Sequence, residues 1–167
     1  AATVNKAKQE KLYDNYASLG VGNYTTILGE VYLNHELGRG ETVGGYLSHH
    51  SSGGGIDGLL LEDDFMDINL NANYTKKERD YSWSIDGGGL FKNYNWYGLP
   101  KDYFDATTAD TLDVGHNFIG ANLGGKIKFE DSYFKQASVR FRHFEDNQGS
   151  GENRFVVKGN VDVPVQD

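Results

Sequence analysis

Histidine, serine and acidic residues lie near one another between His49 and Asp64. Hydrolases and acyltransferases use these residue types together, because histidine activates a serine hydroxyl and a carboxylate orients the histidine. A loop rich in serine and histidine is more often only a solvated rim, so we assign no catalytic residue and do not expect an enzyme. The candidate set would be His50, Ser52 and either Asp63 or Asp64.

The segment from Gly53 to Gly58 reads GGGIDG and fits the pattern G-x-G-x-x-G. A dinucleotide site needs a strand before this pattern and a helix after it. The following residues, Leu59–Asp64, are too few for such a helix, and another alternating segment begins directly after them. We therefore predict a flexible glycine loop and no cofactor.

Two groups of acidic residues lie in the predicted loops. Carboxylate oxygens are the ligands that calcium prefers, but carboxylates in loops are more often solvated than bound to a metal. We therefore predict no metal site. The two groups are Glu62, Asp63 and Asp64, and Asp102, Asp105, Asp110 and Asp113.

A further set of charged residues alternates with apolar ones, and its acidic members precede its basic members. In a closed eight-stranded barrel these side chains would form ion pairs across a narrow interior. In a wider barrel they would line opposite walls of an aqueous passage, and in a soluble sheet they would form a solvated face. We predict that they line a lumen: Asp14, Glu30, Asp67, Asp86, Lys126, Lys128, Arg140, Arg142, Arg154 and Lys158.

Strands must carry these residues, as the stretch Phe65–Tyr74 shows most clearly. Its even-numbered residues are apolar or aromatic, whereas Asp67 and three asparagines alternate with them. Side chains of a strand point alternately to opposite faces. A dry core would not accept the row of amides, because each unpaired polar group costs about 1–3 kcal/mol. One face of the sheet should therefore be polar, and the other should be covered by lipid or by a second layer.

The same alternation recurs in about eight segments, with the apolar residues at odd positions in all but the fourth. Short and long connections alternate, as in outer-membrane barrels. We predict an all-β protein whose strands belong to an antiparallel up-and-down transmembrane β-barrel. The strands of this chain would form an arc of that larger barrel. Residues 1–11 would be a polar N-terminal segment and residues 12–167 one domain. The segments are Leu12–Val21, Thr25–Leu37, Thr42–His50, Phe65–Tyr74, Tyr81–Phe91, Asn117–Phe129, Phe134–Phe144 and Asn153–Val165.

Aromatic residues give an independent indication of a membrane interface. Several of them fall on the apolar face at the strand ends next to the short connections, and a ring of tyrosine and tryptophan at one level is typical of such an interface. The same residues also favour strands in general. The predicted interface residues are Tyr13, Tyr74, Tyr81, Trp83, Phe129 and Tyr133.

Composition excludes some other classes of protein. The chain has no cysteine, so a disulfide framework or a thiolate metal site is impossible. Its net charge of −8 argues against nucleic acid as a partner. No apolar run reaches the roughly 18 residues of a transmembrane helix, and between Asp102 and Asp113 no helical apolar stripe is present.

Four stretches are distinctive when taken together: LGVGNYTTILGEVYLNHEL (19–37), LSHHSSGGGIDG (47–58), NYNWYGLP (93–100) and SGENRFVVKG (150–159). They resemble the leading part of the barrel in TonB-dependent-receptor-like outer-membrane proteins of Gram-negative bacteria. The resemblance covers most of the chain from Leu12 onward, and its motifs are structural. It implies a location in the bacterial outer membrane and a part in solute passage or uptake, or in an outer-membrane complex.

The sequence departs from that family in two ways. The family's N-terminal plug domain and TonB-contacting segment are not in these residues, and the last residues lack the usual terminal aromatic. Pro164 would also remove a hydrogen-bond donor from a closing seam. We therefore expect the barrel to be completed by strands beyond Asp167 in a longer protein, or by a partner chain. The expected surroundings are outer-membrane lipid and a small solute.

Two alternatives remain open from the sequence. The first is a small closed eight-stranded barrel with a structural or lipid-modifying role. The second is a soluble β-sandwich or lipocalin-like binding module, in which a helix or a second sheet would cover the apolar face.

Overall fold

The computed structural model describes residues 13–99 and 101–163. These residues form one antiparallel sheet of eight strands, which lie side by side in the order in which they occur along the chain. The architecture is therefore all-β and up-and-down, as predicted. The strands are β1 Tyr16–Gly22, β2 Thr26–Gly38, β3 Glu41–Ser52, β4 Phe65–Lys77, β5 Tyr81–Asn95, β6 Gly115–Phe129, β7 Phe134–Asp146 and β8 Gly151–Val161.

Each predicted segment corresponds to one strand, and the largest differences are at strand ends. The third and fifth strands continue to Ser52 and Asn95, beyond the predicted His50 and Phe91. Both extensions are polar and do not continue an apolar alternation, so the sequence pattern stops before the backbone pairing does. The predicted N-terminal segment 1–11, the predicted strand limits at Leu12 and Val165, and Pro164 lie outside the described residues.

The pairing register confirms the two predicted faces. Leu70 lies opposite Leu47 on one neighbouring strand and Gly89 on the other, whereas Asn71 lies opposite Tyr46 and Gly88. We call the side that carries Leu70 the apolar face. It holds the odd-numbered residues of every strand except β4, whose even-numbered residues it holds. The opposite side is the polar face. The parity changes only near two irregularities, at Glu36/Gly38 and at Phe134/Gln136.

The sheet has no hydrophobic core. Of the described residues, only Ala109, His116 and three glycines, Gly44, Gly120 and Gly124, are buried. Large apolar side chains such as Leu19, Leu123 and Val157 are more than half exposed. No second layer packs on the sheet within the described part of the chain, so a soluble sandwich is not formed. The strand order also runs from β1 to β8 without closing, so the eight strands do not form the small closed barrel either.

The connections divide between the two ends of the sheet. At one end, which we call the turn end, β2 joins β3, β4 joins β5 and β6 joins β7 through short turns. At the other, the loop end, residues 53–64 and 96–114 form the long connections. The second long connection contains α1, Ala106–Ala109, whose N-cap is Asp105. The sequence did not predict this single helical turn, because it is too short for an apolar stripe. None of the described helices is long and apolar enough to cross a membrane.

The connection between β1 and β2 is a strained turn. Tyr24 and Thr25 have φ values of 59° and 54°, and the backbone N–H of Thr26 donates to the carbonyl of Asn23 at 3.2 Å. Two successive residues with positive φ make the tight hairpin turn that normally uses Asn-Gly. A β-branched residue such as Thr25 is disfavoured there. Tertiary contacts must therefore hold this turn, and the carbonyl of Tyr24 accepts hydrogen bonds from Gly53 and Ser52.

Candidate functional site

The charged side chains predicted to share one surface lie on the polar face wherever they belong to a strand. Asp14 precedes β1, so the strand register does not place it. The acidic members lie on β2, β4 and β5, and the basic members lie on the last three strands, β6 to β8. In order, they are Glu30 on β2, Asp67 on β4, Asp86 on β5, Lys126 and Lys128 on β6, Arg140 and Arg142 on β7, and Arg154 and Lys158 on β8.

One ion pair crosses a whole strand of the polar face. Arg140 Nη2 of β7 lies 3.0 Å from Asp86 Oδ1 and 2.9 Å from Asp86 Oδ2 of β5. Gly124 of β6 lies between them in the register. A Cβ at Gly124 would come within 2.7 Å of Asp86 Oδ1 and 2.9 Å of Arg140 Nη2. The absence of a side chain at Gly124 therefore allows a carboxylate and a guanidinium two strands apart to meet.

Other charges of the polar face are paired between adjacent strands. Lys92 Nζ of β5 donates to Asp67 Oδ2 of β4. Glu30 accepts a hydrogen bond from the Tyr46 hydroxyl at 3.3 Å. Lys92 is not among the predicted lumen-lining charges, because it lies beyond the predicted end of the fifth strand. Lys92 thus adds a cation to the polar face beside the acidic residues of β2, β4 and β5.

Several cations of the second half have no partner. Arg142 and Arg154 lie directly opposite each other on β7 and β8. Neither forms a hydrogen bond or an ion pair within the part of the chain that the structure describes, and the same holds for Lys126 and Lys158. Like charges directly opposite each other across a strand pair are destabilising. We call these four residues the basic cluster.

A groove follows the basic cluster along the polar face. Its part toward the loop end has a volume of about 560 Å³, and Asn122, Arg142, Phe144 and Arg154 contribute to its lining. The part toward the turn end has a volume of about 470 Å³ and is lined by the whole basic cluster. Five cations and two carboxylates line the two parts together. Since Asp86 is already paired with Arg140, the groove carries an excess of positive charge.

A row of aromatic rings borders the polar face at the loop end. The His50 and Phe65 rings meet edge to face at 4.9 Å, and the Tyr94 and Phe118 rings stack at 5.5 Å. The Phe118 ring also stacks on that of Phe144 at 5.6 Å. This row was not predicted from the sequence, because its members come from five strands and only the register brings them together.

His116 belongs to the same region and is the buried polar residue of the described chain. Its ring lies 4.0 Å from that of Trp96 and 5.7 Å from that of Tyr94. Its Nε2 atom is buried and has no hydrogen-bond partner. Because the Trp96 and Tyr94 rings pack against it, His116 contributes packing at the base of the long loop.

The structure does not bring the histidine, serine and acid together as a triad. His49 and His50 point to opposite faces: His49 Nε2 contacts Ser51 Oγ at 2.9 Å, whereas His50 packs on Phe65. Ser52 Oγ donates to the Tyr24 carbonyl at 3.3 Å. Asp63 accepts from backbone N–H groups and does not contact an imidazole. The seryl and carboxylate groups therefore hold loops.

Acidic loop residues have structural partners. Asp63 accepts hydrogen bonds from the backbone of Gly55 at 2.8 Å and of Ile56 at 3.1 Å, and these bonds hold the pKa of its carboxyl below the ordinary value. The side chain and backbone of Thr108 likewise lower the pKa of Asp105 at the N-cap of α1. Asp64 accepts from Asn95 Nδ2 at 2.6 Å. Within the described residues, no three histidine or acidic side chains are placed to hold a metal ion.

The predicted interface aromatics lie near the turn end of the sheet. On the apolar face, Tyr74 contacts Trp83 at 5.2 Å between ring centres, and Tyr81 contacts Phe129 at 6.4 Å. Phe129 also contacts Phe134 at 6.0 Å, so these rings join neighbouring strands. Tyr13 precedes β1, and Tyr133 lies in the turn between β6 and β7.

Comparison with known proteins gives no assignment. No protein-family model matches the chain, and neither a curated protein nor a solved structure does.

Proposed function

We propose that the chain forms part of the wall of a TonB-dependent-receptor-like β-barrel in the outer membrane of a Gram-negative bacterium. In this proposal the apolar face contacts lipid, and the polar face lines a path for a small solute. Further strands, from a longer chain or from a partner chain, complete the barrel at β1 and β8. The alternative role is a structural one within an outer-membrane complex.

One observation carries this proposal: an eight-stranded sheet has an uncovered apolar face and no hydrophobic core. In water, a stable sheet buries its apolar face against another layer. Lipid can cover such a face instead, and a barrel wall needs no core on that side. The contacts between rings near the turn end, from Tyr74 to Phe134, support the same reading, because aromatic residues concentrate at membrane interfaces.

The charged side chains of the polar face support the proposed path for a solute. Ion pairs such as Asp86–Arg140 and the unpaired basic cluster would be costly against lipid, whereas a water-filled lumen accepts them. The resemblance of residues 19–37, 47–58, 93–100 and 150–159 to receptor-like barrels favours that class over a purely structural barrel.

Two neighbouring labels on β7 test the proposal. The chain has no cysteine, so Val139→Cys on the apolar face and Ser138→Cys on the polar face can each carry one fluorophore. The full chain is folded into phospholipid vesicles, and quenching by lipid-borne nitroxide is compared with quenching by aqueous iodide. We expect nitroxide to quench the label at position 139 and iodide to quench the label at position 138.

The matched pair contains its own control, because the two positions share one strand and differ only in face. A chain that folds as a monomer in buffer without lipid, with both labels open to iodide, would contradict the membrane proposal.

A further inference from the structure

We propose that the basic cluster binds a small organic anion that carries at least two carboxylate or phosphate groups, with Arg142 and Arg154 as its main ligands. The inference rests on the proposed function, since the polar face of a barrel wall is where a passing solute would meet these side chains. It goes further by naming the chemical class of that solute.

The arginine pair provides the first argument. Arg142 and Arg154 occupy a directly opposed register position on β7 and β8, where side chains start about 4.5–5.5 Å apart. No acceptor among the described residues contacts either guanidinium. A guanidinium presents a planar fork that matches carboxylate and phosphate oxygens in pairs. Two such forks side by side fit an anion with several oxygens, and the anion would relieve their mutual repulsion.

The surroundings provide the second argument. Lys126 and Lys158 line the same groove farther toward the turn end, so a second anionic group would meet cations there. Of the two carboxylates along the groove, Asp86 is held by Arg140, and Glu152 forms no ion pair with either arginine. The positive charge of the basic cluster is therefore not neutralised locally. The charge of Lys92, by contrast, is neutralised by Asp67.

The groove also has the size and lining for an organic ligand. Its two parts, of about 560 and 470 Å³, are within the range of about 300–1,000 Å³ that is usual for small-molecule sites. Leu90 and Phe144 line the same part of the groove as the arginines and offer contact to a carbon skeleton, and Asn71 and Asn122 offer neutral hydrogen bonds. An anion with a compact carbon or phosphate backbone thus fits better than a simple halide.

Calorimetry on the full chain tests this inference, with citrate and pyrophosphate as the two probes and sucrose as the uncharged control. We expect both anions to bind, sucrose not to bind, and affinity to fall as salt is added. Stronger binding of citrate would indicate a carboxylate solute, and stronger binding of pyrophosphate would indicate a phosphate one. Arg142→Gln and Arg154→Gln should each weaken binding about tenfold or more, because each removes charge-assisted hydrogen bonds.

Arg79→Gln is the matched control, since Arg79 lies in the turn between β4 and β5 with its side chain 96% exposed and distant from the groove in the register. It should leave affinity unchanged. Arg154→Lys keeps the charge but loses the fork, so it should bind with intermediate affinity. Far-UV circular dichroism checks that each variant folds. In addition, citrate should raise the melting temperature of the wild-type chain and not that of the double glutamine variant.

Absence of binding by both anions to the folded wild-type chain would overturn the inference, and so would equal binding by the wild-type chain and the double variant. The assay does not require a bilayer, and it can be run in detergent or in buffer. Anion binding by a chain that does not enter lipid would sustain the site and refute the proposed function. Lipid insertion without anion binding would support the proposed function and refute the anion site.

Discussion

Asp63 shows how one side chain can order a glycine-rich segment. Gly54, Gly55 and Gly58 adopt positive φ values. Because glycine populates positive and negative φ about equally, the segment has little intrinsic preference for one conformation. The two oxygens of Asp63 accept separate hydrogen bonds from Gly55 and Ile56. The Tyr24 ring packs so closely over Gly55 that a Cβ there would lie 2.5 Å from Tyr24 Cδ1. The glycine pattern suggests a phosphate loop, but the backbone N–H groups of Gly55 and Ile56 already donate to the carboxylate of Asp63.

Acid should release this loop. The hydrogen bonds from Gly55 and Ile56 lower the pKa of Asp63 in the folded chain below its ordinary value of 3.8. Because the folded pKa is the lower one, the stabilisation is complete above about pH 3.8 and is lost as the pH falls through the folded pKa. Hydrogen exchange of peptides from residues 53–64 should accelerate across that range relative to the strand peptides.

Two variants separate the carboxylate of Asp63 from general acid effects. Asp63→Asn should open the loop at neutral pH and remove the acid-dependent step. Asp57→Asn, in the same loop, should behave as the wild type, because Asp57 forms no hydrogen bond or ion pair among the described residues. Equal protection of the loop from hydrogen exchange in the wild type and in Asp63→Asn at neutral pH would disprove that the Asp63 carboxylate holds the loop.

At the scale of elements, β4 offers the clearest test of the two faces. Leu70 is 53% exposed on the apolar face, and the adjacent Asn71 lies on the polar face. In lipid-folded chain, Leu70→Arg should lower the free energy of unfolding by about 2–4 kcal/mol if Leu70 lies near the bilayer midplane. Asn71→Arg should have a much smaller effect, because its side chain would meet water. Small and equal effects in a denaturant titration would contradict the face assignment.

The strands and their faces could be predicted from the sequence because alternation is a local property. In β4, the odd positions from Asp67 to Asn73 are polar and the even ones apolar, so a single strand fixes its own two sides. The pairing register is not local, and it decides most of the candidate site. Neither the opposition of Arg142 and Arg154 nor the contact of Asp86 with Arg140 across Gly124 follows from spacing along the chain.

Strand ends and loops were predicted less well, for related physical reasons. Tyr94 and Asn95 pair with β6 through backbone groups, which carry no sequence signal. The helical turn Ala106–Ala109 depends on its Asp105 cap and is too short to show a period. The aromatic row at the loop end belongs to the polar face, so its members break the alternation that revealed the rest of each strand.

For the whole molecule, the two outer strands are the main liability. Each of β1 and β8 has a neighbour on one side only within the described chain, so half of its backbone groups have no partner strand. Unpaired edges are templates for further pairing in water and are costly in lipid. The sheet is thus suited to addition of strands at both sides, which agrees with the expectation that other strands complete it.

Hydrogen exchange of the folded full chain should show this difference between strands. Amides of β1 and β8 should exchange faster than those of β5 and β6, which are 15 residues long and paired on both sides. If β1 and β8 are as well protected as β5 in the isolated chain, they pair with each other or with a second copy. A mass measurement under the same conditions distinguishes these two cases and would replace the open sheet with a closed or dimeric one.

The strained turn at Tyr24 and Thr25 has a consequence for the order in which the sheet assembles. A hairpin whose turn residues disfavour positive φ forms slowly by itself, and this one depends on hydrogen bonds from Ser52 and Gly53 at the end of β3. We therefore expect the first hairpin of the chain to form only once β3 is in place, and not to nucleate folding. Such a delay would keep the edge of β1 available during assembly, and that edge is where further strands would join the proposed barrel.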